Sequence, residues 1–251
     1  MIRNNLGGAG PDAGEEGILF GAVAPGTDLL VSATSSYTPN MLNPSGGVLR
    51  NGVHRKFGVI NLASGSSVDL TFTLKDSATG ADKVNPNFVV TFFDGDHGMS
   101  HESRESMGIT GFNNYIVDDD SDLEVSSATI DDVSLAAGLG VATFTSTLRG
   151  AKEDNPQSPL ALSNLQKKRS VTVYFEDTAS FQVTLTESGY VNPQGRNIFF
   201  AGASNLICSD EARCTSYQCP DGFRLRQDAE FTVCATKPCT TNDSDTCCTL
   251  E

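Results

Sequence analysis

The chain has 251 residues, 38% of them apolar, with 24 Gly and no Trp, and its 17 Lys and Arg stand against 31 Asp and Glu for a net charge of -14. That length buries the core of one large β domain or two smaller units. The negative balance argues against nucleic acid and anionic membranes as partners, because their phosphates repel it, and no apolar run approaches the roughly 20 residues that span a bilayer.

Residues 1–16 carry the glycine-rich "GGAGPDAGEEG" and read as a flexible lead-in. No strand precedes these glycines and no helix follows, so they do not form a phosphate-cradling loop. A basic-then-apolar leader is missing from this stretch, and the chain is expected to be a piece of something longer. From residue 17 to 206 the pattern is that of a β domain. "TDLLVSATSSY", "FGVINLA", "SVDLTFTLKD", "NFVVTFF", "SDLEVSSATI", "VATFTSTL", "SVTVYFED", "SFQVTLTES" and "NIFFAGA" alternate or run apolar for strand-like lengths, bounded by turn chemistry. Val68, Leu70, Phe72 and Leu74 share one face. Only "NPQSPLALSNLQKKRS" suggests a helix, limited by its prolines to a turn or two. The expected fold is all-β: an antiparallel sandwich of jelly-roll or lectin-like type.

Acidic residues concentrate where the strand "NFVVTFF" gives way to "DGDHGMSHESRES". Between Asp94 and Asp132 stand eleven carboxylates, with Arg104 as the only Lys or Arg. Sandwich loops converge at the two ends, so the Asp94 and Asp118 loops can be neighbours. Clustered carboxylates raise one another's pKa unless a cation neutralises them. Calcium, which takes six to eight oxygens from carboxylates, carbonyls and water, fits such loops. The candidate ligands are Asp94 and Asp96, with Gly95 allowing a tight turn, together with Asp118, Asp119 and Asp120; the competing reading is a solvated acidic rim. His97 and His101 have the spacing of a metal pair only on a helix, which Gly98 and Ser100 oppose, so exposed loop histidines are expected. His54 reads as surface. Glu176 and Asp177 join either this rim or an opposite-end turn. The cationic run ending in Lys167, Lys168 and Arg169 either pairs with the acidic end, docks on an anionic partner or lies solvated, and solvation is the expectation.

All seven cysteines, Cys208, Cys214, Cys219, Cys234, Cys239, Cys247 and Cys248, fall in residues 207–251, which read as a separate module. With few aliphatic side chains, such a segment needs staples. Four thiolates on zinc are one possibility, but the x4 spacings and the adjacent Cys247-Cys248 suit disulfides better. Disulfides imply an oxidising compartment, hence a secreted or cell-surface protein. The odd count leaves one thiol free or paired elsewhere. Asn242-Asp243-Ser244 matches the N-glycosylation pattern, about as often as chance allows.

No nucleophile elbow, H-E-x-x-H helix, P-loop or dinucleotide fingerprint occurs. Paired carboxylates serve glycoside hydrolysis, but without Trp the chain is poor in sugar platforms; Tyr37, Tyr115 and Tyr190 are equally good core or edge residues. Two stretches carry a resemblance. "CTSYQCPDGFRLRQDAEFTVCATKPCTTNDSDTCC" resembles the cysteine-rich repeats of large secreted or surface proteins of dinoflagellates and other marine algae. "FGVINLASGSSVDLTFTLKDSATG", "VVTFFDGDHG" and "LQKKRSVTVYFEDTASFQVTL" are similar to extracellular β domains of marine organisms with F-x-D-x-D after a core strand. The resemblance implies location and class, and no activity. The expectation is a non-catalytic, calcium-stabilised extracellular module for adhesion or glycan binding, its partner a glycan or another surface protein. The alternatives are a structural subunit of a cell covering, appendage or larger assembly and, more weakly, a carbohydrate-active hydrolase.

Overall fold

The computed structural model describes residues 1–40, 51–97, 104–127, 140–150, 152–189, 195–202, 214, 217–226 and 239–250. Among the described residues fourteen strands lie in the first unit, Met1–Leu206. In chain order they are β1 (Arg3–Asn5), β2 (Gly17–Ala24), β3 (Thr27–Ala33), β4 (Gly52–His54), β5 (Phe57–Leu62), β6 (Ser67–Asp76), β7 (Asn85–Phe93), β8 (Glu105–Phe112), β9 (Asn114–Val117), β10 (Leu123–Ser127), β11 (Gly140–Ser146), β12 (Val171–Thr178), β13 (Ser180–Glu187) and β14 (Arg196–Ala201). One sheet runs β1-β2-β3-β6-β13-β8-β11-β10 and the other β4-β5-β14-β7-β12-β9, with antiparallel pairing throughout.

The alternation read in β6 is what joins the layers. Val68, Leu70, Phe72 and Leu74 turn inward, and each is buried. The Phe72 ring meets Phe92 and Phe200 of the opposite sheet edge-on, at centroid distances of 6.1 and 5.3 Å, geometries the aromatic quadrupole favours. A second apolar cluster, Phe57, Val59, Phe93, Phe199 and Leu162, forms where β5, β7 and β14 present their other face. Leu162 comes from the segment leading into α1 (Asn164–Lys168), the short helix the sequence suggested. α1 opens with a capping box: the Ser163 hydroxyl accepts from Gln166 N–H and the Gln166 side-chain oxygen accepts from Ser163 N–H.

Five of these strands, β1, β2, β4, β8 and β9, fall outside the nine segments read from the sequence. Residues 1–16 contain β1, paired with β2, and a fully buried Leu6, because Asn4 and Asn5 anchor this stretch by side-chain bonds to Asn51 and Gly14 carbonyls. β8, central between β13 and β11, was not foreseen. Its buried apolar residues are Met107, Ile109 and Phe112, and Gly108 and Gly111 interrupt the strand-forming pattern.

The second unit, Ile207–Glu251, pairs β15 (Phe223–Leu225) with β16 (Cys248–Leu250) and includes the one-turn helix α2 (Ser244–Cys247). Its bridges are Cys214–Cys247 and Cys219–Cys248, and Cys239 is also disulfide-bonded. These pairings, not zinc ligation, use the thiols of the Cys214-x4-Cys219 spacing. Cys208 and Cys234 lie outside the described residues. Phe223, Leu225 and Leu250 are exposed, so the buried cluster of this unit is chiefly sulfur: Cys214, Cys247 and Cys248. With its cysteines 29 positions apart in the chain, loss of the Cys219–Cys248 bridge in a double Ser variant should cost this unit roughly 3–4 kcal/mol. Calorimetry of the wild-type protein and the double Ser variant measures the loss.

Candidate functional site

β7 runs apolar through Phe92 and Phe93, then Asp94 turns the chain with φ 66°, a left-handed conformation that aspartate tolerates better than most side chains. Gly95 follows with its N–H donating to the Arg169 carbonyl at 3.0 Å. A Cβ at Gly95 would stand 2.8 Å from a terminal methyl of Leu123, so any larger residue in "DGD" would have to displace that side chain. Asp96 and His97 then enter the end of the sandwich, at 5% and 2% exposure. His97 is held by its backbone, its N–H donating to Leu148 at 2.8 Å and its carbonyl accepting from Gly150 at 3.0 Å. It is therefore not the exposed loop histidine expected; His101 lies outside the described residues.

Four other segments converge here. Asp154, fully buried, ends a short 3-10 turn, Lys152–Asp154. Glu105 begins β8 and is buried opposite Glu187 of β13. Arg169 caps α1, and Arg196 begins β14. One oxygen each from Asp94, Asp96 and Asp154 lies within 4.8 Å of the others. Two oxygens on opposite sides of a calcium ion stand about 5 Å apart, so these three fit a single ion. Asp94 Oδ1 is buried and has no hydrogen-bond partner.

Two arginines hold the surrounding carboxylates. Arg196 forms ion pairs with Asp96 and Glu105. Arg169, 5% exposed, pairs with Asp154 and, at 3.0 Å, with Asp122. The expectation of a solvated cationic run fails at Arg169, because α1 ends there and the buried carboxylates compensate its charge. Five carboxylates (Asp94, Asp96, Glu105, Asp122, Asp154) thus face two guanidinium groups. Negative charge is in excess. Burial, reinforced by the charge of Asp154, pushes Asp94 up to about 7 despite the two arginines. Burial, with Asp94 and Glu187 nearby, raises Glu105 well above the usual carboxylate range. Gly150 closes one side of the site: a Cβ there would meet Asp96 Oδ2 at 2.3 Å.

Of the predicted ligands, Asp94 and Asp96 come together and Asp118, Asp119 and Asp120 stand outside the cluster. Asp118 caps its own turn by accepting from Asp120 N–H at 3.0 Å, while Asp120 reaches Lys168 at 3.4 Å and Asp119 is exposed. The residue of that loop that does turn inward is Asp122. Asp154 was not anticipated; "KED" looks like ordinary surface charge, and nothing local marks its distant partners. Glu176 is exposed on β12, near Asn113, whose side chain accepts from its N–H. His54 is half-buried with its ring beside Phe199. Tyr115 packs on Phe112 and Phe144, and Tyr37 bonds Asn51 and the Asn61 carbonyl, so neither is a free sugar platform. Tyr190 lies outside the described residues. No protein-family model matches the chain, and no curated protein or solved structure shows a significant match.

Proposed function

We propose that this is a non-catalytic extracellular module in which calcium, held by Asp94, Asp96 and Asp154, locks one end of a β-sandwich for adhesion or glycan binding. The observation that carries the metal is the buried, unpartnered Asp94 Oδ1 inside a carboxylate group too negative for its two arginines. A hard divalent cation supplies the missing charge and takes oxygen ligands. Secretion is supported by the two disulfides, which persist in oxidising compartments, and by the resemblance of the tail to repeats of algal surface proteins. Among the described residues no helix is long and apolar enough to cross a membrane.

The test is a thermal melt in EDTA and then with millimolar calcium, magnesium or zinc. At a hundred times its dissociation constant calcium adds about 2.7 kcal/mol, or about 5–10 °C in a domain of this size. Asp94→Asn and Asp154→Asn should each abolish the rise. Glycan arrays run with and without EDTA then test the binding role. A second reading, a structural subunit of a cell covering, is favoured by one observation: Arg169 and Arg196 already pair with four of the five carboxylates. A melt indifferent to every ion would leave that reading standing and remove the calcium.

A further inference from the structure

The other end of the sandwich holds a different kind of site. β7 and β14 both run between the two ends: Asp94 follows the last residue of β7 and Arg196 begins β14, whereas Asn85 at the start of β7 and Gly202 just past β14 line a cleft. The cleft encloses about 450 Å³, within the size range of small-molecule sites. Its walls come from both sheets and are largely apolar, with Phe20, Leu29 and Phe181 on one side and Phe57, Phe88 and Phe200 on the other. The opening has a local cause. The β2–β3 ladder breaks between Phe20 and Ala24, with Ala22 at φ 53°. A bulge of this kind bends its strand away from the regular ladder.

Among the described residues one charged side chain lines the cleft, and it is cationic. Lys56 is exposed and makes no ion pair or hydrogen bond among the described residues. In a chain of net charge -14, an aromatic-lined cleft whose charged groups are the Lys56 ammonium and the α-amino group of Met1 is matched by one ligand chemistry: an apolar tail ending in an anion.

We propose that this cleft binds a single-chain amphiphile with a carboxylate head, its hydrocarbon among the phenylalanines and its head at Lys56. Burial of the tail supplies most of the affinity, since apolar area removed from water is the dominant favourable term. Lys56 supplies head-group selection. The proposal is independent of the acidic site.

Calorimetric titration with dodecanoate, below its micelle concentration and in EDTA so that the acidic end holds no metal, tests it. The expected result is saturable one-to-one binding, tighter than for 1-dodecanol. Lys56→Met should weaken dodecanoate by roughly fivefold, the size of a half-exposed ion pair, and leave dodecanol unchanged. Ala24 is exposed on the cleft wall, so Ala24→Trp should block both ligands without unfolding the protein. Because the chain has no other Trp, blue-shifted emission reports the indole seated in the cleft. No saturable binding of either ligand to the wild-type protein overturns the proposal. So does binding unchanged by both variants, and equal affinity for acid and alcohol removes the carboxylate head.

Discussion

Arg196→Met is expected to destabilise the sandwich by about 3–5 kcal/mol, the cost of removing one partner from a buried ion pair. Arg196 lies between Asp96 and Glu105, both at least nine-tenths buried, and its guanidinium bonds one carboxylate through Nη2 and the other through Nε. Methionine matches the length of the stem but leaves both buried carboxyl groups without their cationic partner. The geometry is specific to a planar fork, so Arg196→Lys should fall between wild type and Met, serving one carboxylate at a time. Adding Glu105→Gln to Arg196→Met removes one of the stranded carboxyl groups and should recover part of the loss. Urea unfolding in EDTA measures all three; an Arg196→Met effect under about 1 kcal/mol would mean that water screens this network as it does surface pairs.

The second large effect concerns pH. Asp94 has a folded pKa near 7 against a usual value of 3.8, so between those limits the folded protein holds a proton that the unfolded chain releases. Stability in EDTA is therefore greatest at the acid side of this window. It falls as pH rises from about 4 to about 7, by on the order of 4 kcal/mol for a shift of this size. Glu105, raised for the same reason of burial, adds to the fall in the same direction. Asp28 and Asp76 are shifted the other way by hydrogen bonds from Ser77 and Thr79, and their influence lies below pH 4, outside the window. Asp94→Asn should flatten the curve by the Asp94 share. Calcium should flatten it too, since the ion replaces the proton as the compensating charge. Melting temperatures at pH 4.5, 6 and 7.5, with and without calcium, decide this; a rise in stability with pH in EDTA would show that Asp94 is ionised and already compensated.

What was legible in the sequence was what local periodicity encodes. β6 announced itself because four apolar residues alternate without interruption, and the cysteine-dense tail announced its chemistry because so little else there can be buried. β8 hid because its outward positions are Gly, Ser and Thr, which carry no strand signal of their own until β13 and β11 flank them. The site divides the same way. Asp94 and Asp96 were visible as a carboxylate pair at the end of a buried strand. The run Asp118, Asp119 and Asp120 was the most acidic string nearby, yet none of the three joins the cluster, and the residue of that loop that turns inward is Asp122. Asp154 and Arg196 lie about 60 and 100 residues from Asp94 and reach it only because a sandwich gathers the ends of distant strands. Arg169 looked like part of a solvated basic run, but it stands at the C-terminal end of α1, where Asp154 and Asp122 pair with its guanidinium.

The segregation of the cysteines has a consequence in time. The sandwich contains no thiol, so its assembly waits only on strand pairing, a matter of milliseconds to seconds for β folds. The tail acquires its bridges on the slower clock of thiol oxidation, seconds to hours. During that interval a finished β domain trails the open thiols of this sequence, seven of them. Which partner each thiol finds is thus decided late, after the sandwich has already folded.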